Sequence, residues 1–279
     1  MRGSPWSVLF AIWSVLKPLL AAGLGGLVAI GVSACTFPGV LKPEGGLLQA
    51  LYLRGPPNIP VVALTFDDGP NGRCTAEVLD ALAAFAAPAT FFVLGQNVDA
   101  GGNDDLLARM LREGHTIGLH GYHHEGRMMV VPGVLRNELR DTTKAIQAAL
   151  GRAAVSNHPP RLRFFRPPFG FLTSGTANAA AREGFAVVLW TISVGDWRRG
   201  VAPPDVVERI LDRVRPGDVI VLHDGFRTHQ RSRVACTDRH GIGEVVRLLV
   251  PALEQRGLRL APLREVLRLA DETGAIAPR

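Results

Sequence analysis

From residue 59 onward, apolar and polar positions alternate in blocks. Short runs rich in Val, Ile, Phe and Leu are separated by longer segments whose apolar residues recur every three or four positions. The short runs read as strands covered on both faces, and the longer segments as amphipathic helices packed against them. Strands are predicted over 59–66, 89–94, 115–119, 162–165, 185–192, 219–222 and 257–260. Helices are predicted between and after them, over 75–85, 104–112, 134–150, 174–182, 205–213, 242–255 and 263–270. Local residues set several ends. Thr75 suits an N-cap, Gly114 and Gly151 suit helix stops, and Pro203 and Pro204 suit a first turn. Pro251 falls inside a predicted helix and would kink it. Seven strands alternating with helices argue for an α/β domain with a parallel sheet. The pattern alone does not choose between a barrel and an open sheet, and it holds no internal repeat or second domain.

The pattern before residue 59 is different. Residues 6–16 and 19–34 carry no charge and are separated by Lys17-Pro18. Each half is too short to span a bilayer, but together they are long enough. An export signal is the alternative, with Arg2 and Lys17 in its charged region and 19–30 as its apolar run. A buried core helix is the third reading. Val32-Ser33-Ala34-Cys35 resembles a bacterial lipobox, in which the cysteine is lipidated. Residues 1–35 are therefore expected to be a signal peptide or membrane anchor, placing the domain on the extracytoplasmic side of a membrane. Residues 36–58, rich in Pro and Gly, read as a linker with one short helical turn at 47–53. Residues 59–279 form the folded domain.

Composition narrows the function. The chain has 279 residues, 47% of them hydrophobic, which is ample for one domain with a sizeable core. The formal charge of +6 is modest for a nucleic-acid binder. No basic block is interleaved with aromatics and no Gly-rich phosphate or dinucleotide fingerprint is present, so no nucleic-acid partner is expected.

The candidate chemistry sits at the ends of the predicted strands. Asp67-Asp68 ends the first, and Gly69-Pro70-Asn71-Gly72 stops it. Adjacent side chains at a strand end point to opposite faces. One carboxylate can therefore hold a metal while the other faces a substrate or water; alternatively, both cap backbone amides. His120-Gly121-Tyr122-His123-His124 follows the third strand. His120 can share a face with His124 at i, i+4, or with His123 at i, i+3. Arg166-Pro167-Pro168-Phe169-Gly170, Asp196-Trp197 and His223-Asp224 follow three more strands. Each has an ordinary reading as a salt bridge, a cap or a satisfied buried histidine. After five different strands of a parallel sheet, they fall on the one edge where sites assemble.

Thr65-Phe66-Asp67-Asp68-Gly69-Pro70 resembles the leading motif of the polysaccharide deacetylase family, carbohydrate esterase family four. The other motifs follow in the family's order: His120 and His124, then Arg166 to Gly170, then Asp196-Trp197, then Leu222-His223. The resemblance spans roughly residues 59–269. It implies a distorted (β/α)7 barrel and metal-dependent hydrolysis of acetyl groups, with N-acetylglucosamine units of an envelope or extracellular polysaccharide as the first expectation. It implies that Asp68, His120 and His124 hold one divalent metal, expected to be zinc, which acidifies a water and polarises the acetyl carbonyl. Asp67 would be the general base and His223 the general acid. Arg166 would keep Asp67 ionised, and Asp196 would orient His223. The Phe169 backbone amide would help hold the oxyanion, and Trp197 would line the substrate site. An acetylated polysaccharide and, through the N-terminus, a membrane are the expected partners.

The sequence departs from the family at three places. Gly121 stands where the family has Ser or Thr, whose hydroxyl braces the second histidine. Glu125 replaces a proline, either taking over that brace or lying in solvent, and Ser193 replaces an aspartate. Two other functions compete: a carbohydrate-binding barrel whose catalysis has lapsed, and a metal-dependent hydrolase acting on other amide or ester bonds. The first predicts loss of Asp67, Asp68, His120, His124 or His223, and all five are present. The polar loop 225–241 carries Arg227, Arg231, Arg233 and Arg239, for an anionic glycan or simply for solvent. Finally, Cys74 and Cys236 lie in loops leaving the same edge, on strands expected to be neighbours where a barrel closes. If Cys35 is lipidated, the two either form a disulfide or remain as unpaired loop cysteines.

Overall fold

The computed structural model describes residues 51–154, 160–198, 200–225 and 241–269. Its elements in chain order are β1 (Leu51–Tyr52), β2 (Val61–Asp67), α1 (Gly72–Ala83), β3 (Thr90–Val93), α2 (Gly95–Asp99), α3 (Asp104–Arg112) and β4 (Thr116–Leu119). They continue as α4 (Pro132–Arg152), β5 (Phe164–Phe165), α5 (Ser174–Arg182), β6 (Ala186–Val188), β7 (Ile192–Ser193) and α6 (Pro203–Leu211). The last are β8 (Val219–His223), α7 (Ile242–Gln255), β9 (Arg259–Leu260) and α8 (Leu263–Val266). Every strand pairing is parallel, in the order β1-β6-β5-β4-β3-β2-β8-β7, with β9 added to the start of β2. The sheet curls into a half-barrel whose edges, β1 and β7, do not pair with each other. The expected distorted barrel is therefore observed as an open, curled sheet with helices packed on it.

β2 is the centre of the sheet, and all seven of its residues are buried. Its side chains alternate between two cores, as the period of a strand requires. Val62, Leu64 and Phe66 join the helix-side core with Val78, Leu79 and Leu82 of α1 and Leu249 and Leu253 of α7. Val61 and Ala63 join the smaller inner core with Phe92, Phe164, Val188 and Val219. Burying each large apolar side chain here contributes on the order of 2 kcal/mol. The same alternation sends Thr65 and Asp67 to the inner face.

Helices α3, α5 and α7 have the predicted bounds, and α5 starts with a capping box between Thr173 and Thr176. Other elements differ for identifiable reasons. Thr75 lies inside α1, not at its N-cap, because its hydroxyl binds the turn after β2. α4 runs two residues further at each end than 134–150. Pro132 fits its first turn, and Gly151 is helical, so the left-handed exit falls on Ala154 (φ 50°) instead. The strand expected over 185–192 is two pieces. Val188 and Leu189 turn their carbonyls to the Arg166 guanidinium, which interrupts the ladder, and β7 then pairs with β8. Within 47–53, residues 51–52 are a strand paired with β6, not a helical turn.

The predicted anchor, the Cys35 lipobox, most of the linker and the arginine-bearing stretch 226–240 lie outside the described residues. Among the described residues, no helix is long and apolar enough to cross a membrane. Cys74 is disulfide-bonded. The chain's other cysteines, Cys35 and Cys236, are both outside the described residues. The strands preceding Cys74 and Cys236, β2 and β8, are hydrogen-bonded neighbours in mid-sheet, not at a barrel seam.

Candidate active site

Asp67 and Asp68 lie where β2 ends. Asp67 is the register partner of His223 on β8, so the sheet itself sets these two groups across from each other. Asp68 leaves the strand with φ 71°, a conformation a non-glycine residue rarely takes without support. The support is polar. Asn97 Nδ2 donates to the Asp68 carbonyl at 2.7 Å, and the Leu94 amide donates to the Gly69 carbonyl at 2.9 Å. Asp224 packs beneath the turn, so close that a Cβ on Gly69 would fall 2.4 Å from its carboxylate. Thr75 Oγ1 donates to that carboxylate at 2.5 Å and accepts from the Asn71 amide at 2.8 Å. Burial pushes the Asp224 carboxyl up to about 7, against the Thr75 hydrogen bond, with the charges of Asp68 and Asp67 adding to the rise.

Arg166 has no solvent exposure, and almost every donor it has is used. Nη1 donates to Asp67 Oδ1 at 2.7 Å and to Thr65 Oγ1 at 2.8 Å; Nη2 and Nε donate to the Leu189 and Val188 carbonyls. The guanidinium also lies 4.0 Å from the centre of the Phe92 ring. Burial alone would raise the Asp67 carboxyl, but Arg166 outweighs it, with help from His120 and His223, and holds Asp67 below the usual carboxylate range. The carboxylate is therefore ionised at neutral pH. Its second oxygen, Oδ2, turns toward His120, 3.9 Å from Nε2.

Asp68 Oδ1 lies 3.5 Å from His120 Nε2 and 3.4 Å from His124 Nε2. These three donor atoms converge to within 4.8 Å of one another. Asp68 Oδ1 is buried yet has no hydrogen-bond partner, an expensive arrangement for a carboxylate unless a cation completes it. The Arg166 carbonyl, 2.8 Å from His120 Nδ1, can only accept, so Nδ1 donates to it and Nε2 is the ring nitrogen turned to Asp68. Burial, then the neighbouring His120, drives the His124 imidazole down to about 4 despite the two aspartates, so His124 is neutral at pH 7. Two imidazoles and a carboxylate fit a divalent metal such as zinc. His123, the competing histidine, turns away: its Nδ1 pairs with Glu138 Oε1 at 2.8 Å.

On the other side, His223 receives two contacts from Asp196. The His223 amide donates to Oδ2 at 2.8 Å, and ring Nδ1 lies 3.1 Å from Oδ1. Burial alone would lower the imidazole, but the Asp196 charge and hydrogen bond raise it to about 9, with smaller contributions from Asp68 and Asp67. At neutral pH His223 is thus protonated, across the sheet from an ionised Asp67. Phe169 and Trp197, two of the most exposed large apolar residues described, pack edge-on against two of the site histidines: Phe169 against His124 at 4.6 Å and Trp197 against His223 at 4.8 Å. Phe169 is held with φ 60° in a short 3-10 turn, Pro168–Gly170.

All nine site residues expected from the sequence thus meet at one edge of the sheet. Of their supports, Thr65 and Asp224 stand in the sequence motifs without a role, and Asn97 and Glu138 were missed. Asn97 and Glu138 give no sign in sequence, because only the fold brings their helices to the site. Glu125 is exposed and has no hydrogen bond or ion pair among the described residues, and Ser193 lies half-buried on β7.

Comparison with known proteins agrees with this geometry. A family model described as polysaccharide deacetylase matches residues 54–188. A chitooligosaccharide deacetylase of Bradyrhizobium sp. (strain ANU 289) is 35% identical over 209 residues, covering 74% of this chain and 90% of the relative. A peptidoglycan-N-acetylglucosamine deacetylase of Bacillus cereus is 31% identical over 223 residues, covering 80% of this chain and 74% of the relative. The crystal structure of the Bc1960 peptidoglycan N-acetylglucosamine deacetylase superposes with a TM-score of 0.68 at 28% identity, covering 80% of this chain and 95% of that one. With its motifs in place on a shared fold, this chain belongs to the polysaccharide deacetylase family.

Proposed function

We propose that this protein hydrolyses the N-acetyl groups of N-acetylglucosamine units in a polysaccharide, using one divalent metal, zinc, held by Asp68, His120 and His124. The observation that carries the reading is the orphaned Asp68 oxygen between two imidazole nitrogens, beside an ionised Asp67 and opposite a protonated His223. When bound, the metal supplies Lewis acidity to the acetyl carbonyl and lowers the pKa of a water. Asp67 Oδ2 takes the proton of the attacking water, while Arg166 keeps Oδ1 engaged and the carboxylate oriented. His223 gives its Nε2 proton to the departing amine, and Asp196 holds Nδ1–H throughout. The products are acetate and a free amino sugar. The Phe169 amide would donate to the developing oxyanion, and the Phe169 and Trp197 rings, packed on His124 and His223, would form apolar walls for the acetyl and sugar groups.

The relatives named for chitooligosaccharide and peptidoglycan substrates support an N-acetylglucosamine polymer. Residues 1–35, with their uncharged runs and lipobox-like end, support an exported protein tethered to a membrane beside such a polymer. The test is acetate release from peptidoglycan, chitin oligomers and acetylxylan, by zinc-loaded and chelator-treated enzyme. Acetate is expected from the first two and lost on chelation. No acetate from any polymer would refute the activity, and release unaffected by removing all metal would refute the metal.

A further inference from the structure

The loop between the two clustered histidines is short and conformationally costly. Gly121 has φ 87° and His124 has φ 57°. The second value is a left-handed conformation that a histidine holds only when its surroundings impose it. Tyr122 and His123 between them have no neighbouring strand to take their amides. Glu138 of α4 takes both, with Oε2 accepting from the Tyr122 amide at 2.6 Å and from the His123 amide at 2.9 Å. Its other oxygen, Oε1, accepts from His123 Nδ1. From the opposite side, the Gly95 and Gln96 amides at the start of α2 donate to the Gly121 and Tyr122 carbonyls at 3.0 and 3.1 Å. The loop backbone is therefore gripped on both sides, and Glu138 is only 8% exposed.

We propose that Glu138 is the positioning residue of the metal centre, its carboxylate clamping the 121–123 backbone so that His120 and His124 converge on Asp68. The inference rests on the metal reading above. It also accounts for Gly121. A Cβ there would fall 2.7 Å from the Met128 Cε and Sδ on a backbone with positive φ, so a side chain at position 121 would strain the loop and displace the end of Met128. His124 Nδ1 has no hydrogen-bond partner, so this ligand is fixed through its backbone instead of through its ring. A carboxylate suits the task because charge-assisted hydrogen bonds are about twice as strong as neutral ones.

The test uses the full chain with Glu138→Ala and the isosteric Glu138→Gln. Zinc affinity is measured by competition with a chromophoric chelator, and amide hydrogen exchange is followed in the metal-free protein. In Glu138→Ala, the Tyr122 and His123 amides should exchange faster while β2 and β8 stay protected, and zinc affinity should fall about 10- to 100-fold, as for other groups that orient metal ligands. Glu138→Gln, which keeps one acceptor oxygen for the two amides, should fall in between, and it carries the test if the alanine variant does not fold. Zinc binding within about twofold of wild type in a folded variant would overturn the proposal. A wild-type protein that binds no zinc would overturn the metal reading instead, and the exchange data would still report on the clamp.

Discussion

The two halves of the site are built by different means. Asp67, Arg166 and His223 are held by the sheet: one ends β2, one follows β5, one ends β8, and register alone aligns Asp67 with His223. His120 and His124 stand on a loop with two positive-φ residues, held by a helix carboxylate and by the start of another helix. In the proposed reaction the sheet half would perform the proton chemistry, and it is set in the buried core. The loop half would supply the imidazole ligands and depends on a few hydrogen bonds. Damage to the first should therefore change turnover or global stability, and damage to the second should change metal affinity.

The sharpest way to break this division is Asp67→Asn. The isosteric amide leaves the Asp68, His120 and His124 cluster in place but removes the base. Turnover should fall by roughly 10²- to 10⁴-fold with zinc content unchanged. Loss of zinc along with turnover, read by elemental analysis, would show that the halves are not separable. Arg166→Met should come next, acting on stability. It leaves Asp67 as a buried, unpaired carboxylate, a change of about 3–5 kcal/mol in unfolding free energy. The Asp67 pKa is held down by the pair, so this contribution is full above pH 3.8 and is lost as pH falls below that value. The difference between wild type and variant in chemical denaturation should accordingly shrink in acid; a constant difference would dissociate the pair from the effect.

The His223–Asp196 pair offers a smaller effect that still lies within the sheet half. In the metal-free protein the His223 ring should titrate near 9 by NMR, and Asp196→Asn should return it toward 6.5 or below, since burial then has less to oppose it. The pair stabilises the fold fully below pH 6.5 and loses that contribution as pH rises through about 9, opposite in sense to Asp67. A ring that titrates near 6.5 in both proteins would remove Asp196 from its role.

The same division explains what could be read in advance. The strand-borne residues were legible because each follows an apolar run, and the ends of parallel strands share one edge. Helices α3, α5 and α7 were legible from the periodicity of their apolar residues, and of the three only α5 adds a side-chain N-cap. The break between β6 and β7 was not, because its cause is Arg166, about twenty residues earlier in the chain and brought there only by folding. The short α2 was missed because its five residues are too few to show a period, yet two of its amides hold the histidine loop. Glu138 sits on an amphipathic helix, where a glutamate ordinarily faces solvent. Nothing in its own sequence neighbourhood marks it as buried.

The smallest effect is the one that tells the two histidine registers apart. His123 is four residues from neither ligand and could pair with His120 at i, i+3, so its sequence position alone leaves it a candidate. Its ring instead packs edge-on against Tyr122 and bonds Glu138, on the side of the loop away from Asp68. His123→Ala removes one of three contacts at Glu138 and leaves both backbone amides donating. Zinc affinity should therefore drop only a few-fold, below the roughly 10-fold that marks loss of an orienting group. His120→Ala removes a nitrogen 3.5 Å from Asp68 Oδ1 and should abolish stoichiometric zinc. If His123→Ala abolished zinc and His120→Ala retained it, the ligand register would be i, i+3, and the loop would have to rotate in solution so that Glu138 releases it.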